Sequence, residues 1–461
     1  VENQSGVGTA AHKLGRFIVR CALDEIPESV AEKATCCMLD SLGLAALAAD
    51  DGSVRALSAL ATTVDARPGT ARLWTDGRRV PLQEAVAANA CAAHAHFHDD
   101  SEYSSWTHPG SLVVPAAVCT GEALNASIAT VLRALVAGYG AVSWLGANEE
   151  VAMALIRRGV RTSPTLGTIA AAASTAVLLG LGEDQAAHAV SIATSITGGL
   201  LEPVRAGSDE WRLQNAHAAR GGVLAAQMAG QGMSGAPTAL EGPKGLLRAY
   251  AELNSEPPSW ANEPDMAAIL GVVAKPFATL GDNMAAAIAA RLLFEDGVDV
   301  ASVERIDITL WRPYAEYPGT GYKGPFEQVG QALASTAFAV SAMLVFGELE
   351  YCVNRDRRSD SRLLELVRCM TVHAQDGCGP EESTVTITMR DGSRRARRAK
   401  DAAPNLLRHD RGTAMRLLET RLAILGRPLE SAGLLEADVF DRKVFSSPVN
   451  IAAVLDKLLP T

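Results

Sequence analysis

The eight cysteines form no CxxC pair and show no metal-ligand spacing. Most lie in apolar stretches, where cysteine acts as a small buried hydrophobe, so neither a disulfide scaffold nor a redox pair is expected. Positive charge is short as well. With 42 Lys and Arg against 52 Asp and Glu, the net charge is −10 at pH 7. The basic residues are scattered rather than striped, which excludes a nucleic-acid footprint. By inspection no apolar run reaches the roughly 18 residues that span a bilayer, and no signal-peptide pattern opens the chain. The expectation is a cytoplasmic protein with no membrane partner. A glycine-rich phosphate loop is missing too. Gly319-Thr-Gly-Tyr is too short, and Gly180-Leu-Gly-Glu follows a helical pattern rather than a strand. No nucleotide, flavin or nicotinamide is implied, and the expected cofactor is none.

What is present is a chain of 461 residues, 48% hydrophobic, long enough to bury a large core. Over the first 260 or so positions Ala and Leu recur at helical spacing. Pro27 opens a long helix, residues 127–144 read as a helix buried on several sides, and 168–181 and 184–197 follow. After Pro264 the texture changes. Val303-Glu-Arg-Ile-Asp-Ile-Thr-Leu, Met370-Thr-Val-His and Ser383-Thr-Val-Thr-Ile-Thr-Met alternate like strands. Asp391-Gly392 signals a hairpin turn, with a returning strand over 393–398. Its arginine-rich composition suits a solvated edge, because charge protects exposed edges. Helical patterns lie at 284–293 and 331–345 and return at 414–425 and 448–459. The expected fold is mainly α: a helical domain from 1–264 and 405–461, with a smaller α+β domain, 265–404, inserted.

Four of the nine histidines fall within fifteen residues: His94, His96, His98 and His108. Between them lie Asp99, Asp100, Ser101 and Glu102. Titratable groups crowded between two Ala-rich helices are what a catalytic cleft needs, and histidine is the commonest acid–base residue. Two readings compete. In the first, His94-x-His96-x-His98-Asp99 is a zinc site of a hydrolase, since imidazoles and a carboxylate bind that ion. However, the segment before it is helical, and on a helix 94 and 98 share a face while 96 points away. The second is metal-free acid–base catalysis, in which case the expected metal is none. Some of these histidines could also simply cap helices or satisfy core hydrogen bonds.

The run Asn89-x-x-x-x-His94-Ala-x-x-x-Asp99-Asp100, followed by His108-Pro-Gly-Ser-x-Val-Val-Pro-Ala, resembles the MmgE/PrpD family. That family includes 2-methylcitrate dehydratase, cis-aconitate decarboxylase and iminodisuccinate epimerase. The resemblance continues through Gly159-Val-Arg-Thr-Ser-Pro-Thr, Gly207-Ser-Asp-Glu-Trp-Arg-Leu-Gln-Asn-Ala-His, Lys275-Pro-Phe and the run 331–344 with Gly347-Glu-Leu. It implies a helical domain with an inserted α+β domain, usually a homodimer, and a small carboxylate-containing substrate.

The departures from the family pattern are informative. Phe97 stands where the family has a catalytic aspartate. Arg161 replaces a histidine, Trp211 a lysine with Arg212 adjacent, Gln214 a histidine, and Met284 another histidine. Fewer cations and more apolar surface suit a substrate less rich in carboxylates than methylcitrate, with a larger apolar or extended part, while Arg161 supplies one forked clamp. The resemblance implies a shared step: proton transfer at carbon beside a carboxylate or carbonyl, with cations steadying the enolate-like species. The expected roles follow. His108 is the leading acid–base residue, with Asp99 or Asp100 fixing its tautomer and His98 as a second base. Lys275 and Arg161 hold the substrate's carboxylate and the developing charge. Ser101, Trp211, Arg212 and Gln214 contact substrate, and Tyr317 and Tyr322 reach in from the second domain. The expected activity is that of a cofactor-independent lyase, foremost a dehydratase. An isomerase or epimerase, a decarboxylase and a non-catalytic acid-binding protein are the alternatives.

Overall fold

The computed structural model describes residues 8–63, 69–426, 432–441 and 449–459. It is mainly α-helical, with small sheets. The buried apolar side chains form two large clusters and a small one. The first draws on residues 10–272 and again on 415–459. Its centre is a set of helices that approach closely because small residues line their contacts. At Gly222, in the helix Glu210–Gly230, an added Cβ would lie 2.5 Å from the carbonyl of Thr168, in the helix Thr162–Leu178. A Cβ at Gly138, in Ile128–Gly146, would lie 2.4 Å from Val113. These contacts bring the start of Thr162–Leu178 beside the start of Glu210–Gly230, and so Arg161 beside Trp211.

One expectation is corrected here. The helix Ile128–Gly146 is long and apolar enough, by length and composition, to cross a membrane. Thr130, Arg133 and Ser143 break the apolar run to the eye but not on average. In the protein 83% of that segment is buried, so its apolar surface serves the core.

The second cluster spans residues 277–407. Here the helices Met284–Glu295, Thr336–Phe346 and Ser361–Arg368 accompany a four-stranded sheet. Two short strands, β1 (Ala71–Arg72) and β2 (Arg79–Val80), form a separate hairpin. The larger sheet comprises β3 (Val303–Trp311), β4 (Met370–Gln375), β5 (Thr384–Met389) and β6 (Arg394–Arg398), in the order β4-β3-β5-β6. β3 and β4 are parallel, and the other pairs antiparallel. The strands fall where the alternating sequence places them, and β6 is fully exposed along its length. The helix expected over 331–345 is broken at Ser335, whose hydroxyl accepts the amide of Phe338 and starts a new helix. The third cluster joins Phe97, Val204, Trp211, Ala278, Leu280, Leu333, Ala334 and Tyr351, with Tyr317 packed against it. The candidate site borders this small cluster.

Candidate active site

The helix Leu82–His94 ends at His94. Three residues later Phe97 takes a left-handed backbone conformation, φ 49°, which is costly for a bulky side chain. It is held there from two sides. Its ring stacks on Trp211 with centroids 3.9 Å apart, and its carbonyl accepts a hydrogen bond from the Lys275 ammonium. This turn sends His94, His96 and His98 to different neighbours. His94 goes to Asp99 and Arg161, and His96 stacks on Tyr351 at 3.8 Å. His98 lies 4.0 Å from Glu350. They meet at no common point, and among the described residues no group of three or more His, Cys, Asp or Glu is arranged to hold a metal ion.

A cavity opens between residues 97–108, the start of Thr162–Leu178, and the segments 280–282 and 314–317. The cavity has a volume of about 40 Å³. His108 and Arg161 line it, with Ser101, Ser163, Tyr317 and Asp282. Phe97, Tyr103, Trp106 and Leu280 supply apolar wall.

His108 is set by the main chain. Its Nδ1 lies 2.8 Å from the carbonyl of Asp100 and 3.3 Å from the Ser101 hydroxyl. A carbonyl only accepts, so Nδ1 carries the hydrogen and Nε2 bears the lone pair. Burial, then the Lys275 charge, brings the pKa of His108 down to about 3, against the opposing pull of Asp99. At neutral pH it is an unprotonated base on a cavity wall.

Arg161, 2% exposed, is the cation at this cavity. Its Nη1 donates to the carbonyl of Trp211 at 2.8 Å and to Gln214 Oε1 at 3.1 Å, and its Nη2 donates to His94 Nε2. An arginine can only donate, so His94 Nε2 is the acceptor and its Nδ1–H donates to Asp99 Oδ2, 2.8 Å away. Burial above all draws the His94 pKa down to about 4, so this ring too is neutral. Arg161 thus has only neutral partners among the described contacts. Burial lowers its pKa to about 10, and it remains charged at neutral pH. Three of the five N–H donors of a guanidinium are engaged, which leaves two for an anion.

Several expected site residues lie elsewhere, each for a readable reason. The tautomer of His108 is fixed by the backbone carbonyl of Asp100, not by a carboxylate. The Asp100 carboxylate accepts the Gly110 amide and the Tyr139 hydroxyl, at 2.8 and 2.6 Å, and burial raises its pKa to about 7. Asp99 serves His94. Burial works against its ionisation, but His94, His108 and Lys275 together hold its carboxyl well below the usual range. Lys275 does not line the cavity. Its ammonium donates to the carbonyls of Phe97 and Thr279 and lies 4.0 Å from Asp99, so it fastens the turn at 97. His98 is also off the cavity, its Nε2 buried without a partner. Trp211 lies behind Phe97. Arg212 is engaged by Asp209, Asp51, Tyr351 and the carbonyl of Ala95. Gln214 orients Arg161. Tyr322 donates to the carbonyl of Pro325 and is not at the cavity, whereas Tyr317 and Ser101 are.

Tyr103, Trp106, Thr107, Ser163, Asp282 and Tyr314 line the cavity without having been expected there. The first three belong to the turn between Asp100 and His108, and proximity to the histidine cluster was their only sequence signal. Asp282 lies seven positions after Lys275, and no pattern in the sequence marks it.

Comparison with known proteins identifies the family. Residues 12–257 match the model of the MmgE/PrpD N-terminal domain. A curated relative, the cis-aconitate decarboxylase-like protein oryM of Aspergillus oryzae, is 27% identical over 273 residues. That match covers 57% of this chain and 56% of the relative, so the chain spans about half the length of the protein it matches. The domain match covers more than half of the chain, and this protein belongs to the MmgE/PrpD family.

Proposed function

We propose that this protein is a cofactor-independent lyase that removes water from a small hydroxy acid held through one carboxylate. The observation that carries the reading is a neutral imidazole lining a cavity, beside a buried guanidinium that forms no ion pair with a carboxylate among the described residues. A buried, uncompensated cation favours an anionic ligand. The substrate's carboxylate takes the two open donors of Arg161. Nε2 of His108 removes the hydrogen from the adjacent carbon, and Arg161 steadies the enolate-like charge. With one such cation and aromatic walls, the cavity suits an acid less rich in carboxylates than methylcitrate.

A second reading is decarboxylation, favoured by the name of the Aspergillus relative. There the bond to a second carboxylate breaks, the electron pair enters the conjugated acid, and the carbon is protonated afterwards. The test is product analysis in deuterated water with a panel of small 3-hydroxy acids, 2-methylcitrate and cis-aconitate. Alkene formation with deuterium entering beside the carboxylate is expected. Exchange without an alkene would favour an isomerase, carbon dioxide release a decarboxylase, and tight binding without turnover an acid-binding protein. Fast turnover of 2-methylcitrate or cis-aconitate would overturn the single-carboxylate substrate.

A further inference from the structure

Removing water needs an acid as well as a base, because hydroxide is a poor leaving group. The base stands just before the helix Gly110–Ala123. On the wall formed by the segment leading into the second cluster stands Asp282, in the short turn Gly281–Asn283. The side chain is 7% exposed, and its Oδ1 is buried with no hydrogen-bond partner. Such an oxygen is costly to leave unmatched in a folded protein. The turn that carries it is fixed. Asn283 donates to Thr279 and to the carbonyl of Ala334 and accepts from Thr336, while the amide of Leu280 donates to the carbonyl of Leu333. No basic side chain forms an ion pair with Asp282 among the described residues. Its surroundings are Tyr103, Tyr314 and Tyr317, with the Lys275 charge nearby.

We propose that Asp282 is the general acid of this cavity, protonating the hydroxyl that leaves as His108 takes the hydrogen from the neighbouring carbon. This rests on the lyase reading above. The carbon–hydrogen bond breaks, its proton goes to Nε2 of His108, and its electron pair becomes the double bond. The carbon–oxygen bond breaks, and the departing oxygen takes the proton of Asp282, so that water leaves. His108 returns its proton to solvent and Asp282 regains one, which closes the cycle with no net change in the enzyme. Burial, which outweighs a hydrogen bond from its own backbone amide and the Lys275 charge, raises the pKa of Asp282 to about 7. A proton is therefore available on it near neutrality, the condition a general acid requires.

The test uses the full chain with 3-hydroxybutanoate and 3-fluorobutanoate in deuterated water, comparing wild type with Asp282→Asn. Fluoride leaves without being protonated. The variant should lose dehydration by about 10²–10⁴-fold, while fluoride elimination and hydrogen exchange at carbon 2 stay at wild-type rates. Dehydration by the variant at the wild-type rate would overturn the assignment and leave the lyase reading standing. So would loss of all three reactions together, since an acid for the leaving group alone spares two of them. If wild type acts on neither acid, the lyase reading falls first and takes this role with it, a result visible before any variant is made.

Discussion

Two buried arginines flank Trp211, and their partners differ in kind. Arg212 lies over the Trp211 ring at 4.1 Å and faces two carboxylates, Asp51 at 3.4 Å and Asp209 at 2.8 Å. Its charge is balanced inside the protein, and it lines none of the described cavities. Arg161 bonds a carbonyl, an amide and a neutral imidazole. Among the described residues no carboxylate bonds it, and Asp99 acts on it only through space. Both are deeply buried, and both come from polar clusters beside the same histidine-rich turn. Polar density alone therefore does not mark a site. The mark is a buried charge with neutral neighbours at a wall that faces empty space.

The contrast can be tested by removing one member at a time. His108→Ala should cost about 10²–10⁴ in rate, the scale for losing a general base, with the unfolding midpoint little changed. A rate near wild type would move the base elsewhere. On the other side, Arg212→Ala strands the Asp51 carboxylate and should lower folding stability by about 3–5 kcal/mol. Denaturant unfolding measures this, and activity per folded molecule should hold. If activity fell and stability did not, the two arginines would have to exchange roles. Arg161→Lys keeps the charge but not the fork, and should raise KM by roughly 10–100-fold, the value of one or two charge-assisted hydrogen bonds. The pH profile should fall on the alkaline side. His108 is already neutral above about 3, whereas Asp282 must keep its proton and loses it as pH rises through about 7. Lys275, Tyr103, Tyr314 and Tyr317 face the same carboxyl, so the profile of Asp282→Asn, which should lack this limb, identifies its source. The smallest effect is expected at Tyr322, outside the cavity. Replacing it by Phe removes one bond to Pro325, with no change in rate and about 1 kcal/mol or less in stability.

The mainly helical character and the strands after position 300 were readable because side-chain periodicity reflects local geometry. The region of the site was readable too, since His108, Ser101 and Phe97 lie in the histidine-rich stretch and Arg161 in the next matching motif. What could not be read was how that stretch divides. Two left-handed residues, Phe97 and Trp106, interrupt a stretch that a regular helix or strand would have kept together. Lys275 shows a second limit: a lysine in a family motif suggests an anion clamp, but here the ammonium meets carbonyls of the turn it fastens. Asp282 shows a third, because its place at the cavity depends on an empty space between segments 174 positions apart, at 108 and 282.

The hydrogen on His108 is held by the main-chain oxygen of position 100. Every amino acid supplies that atom. Exchange of the side chain at 100 would loosen the Gly110 amide and Tyr139, yet would not by itself decide which imidazole nitrogen is basic. Only a shift in the path of the chain would do so. The tautomer of this ring is thus inherited from the route of the backbone rather than from a neighbouring side chain.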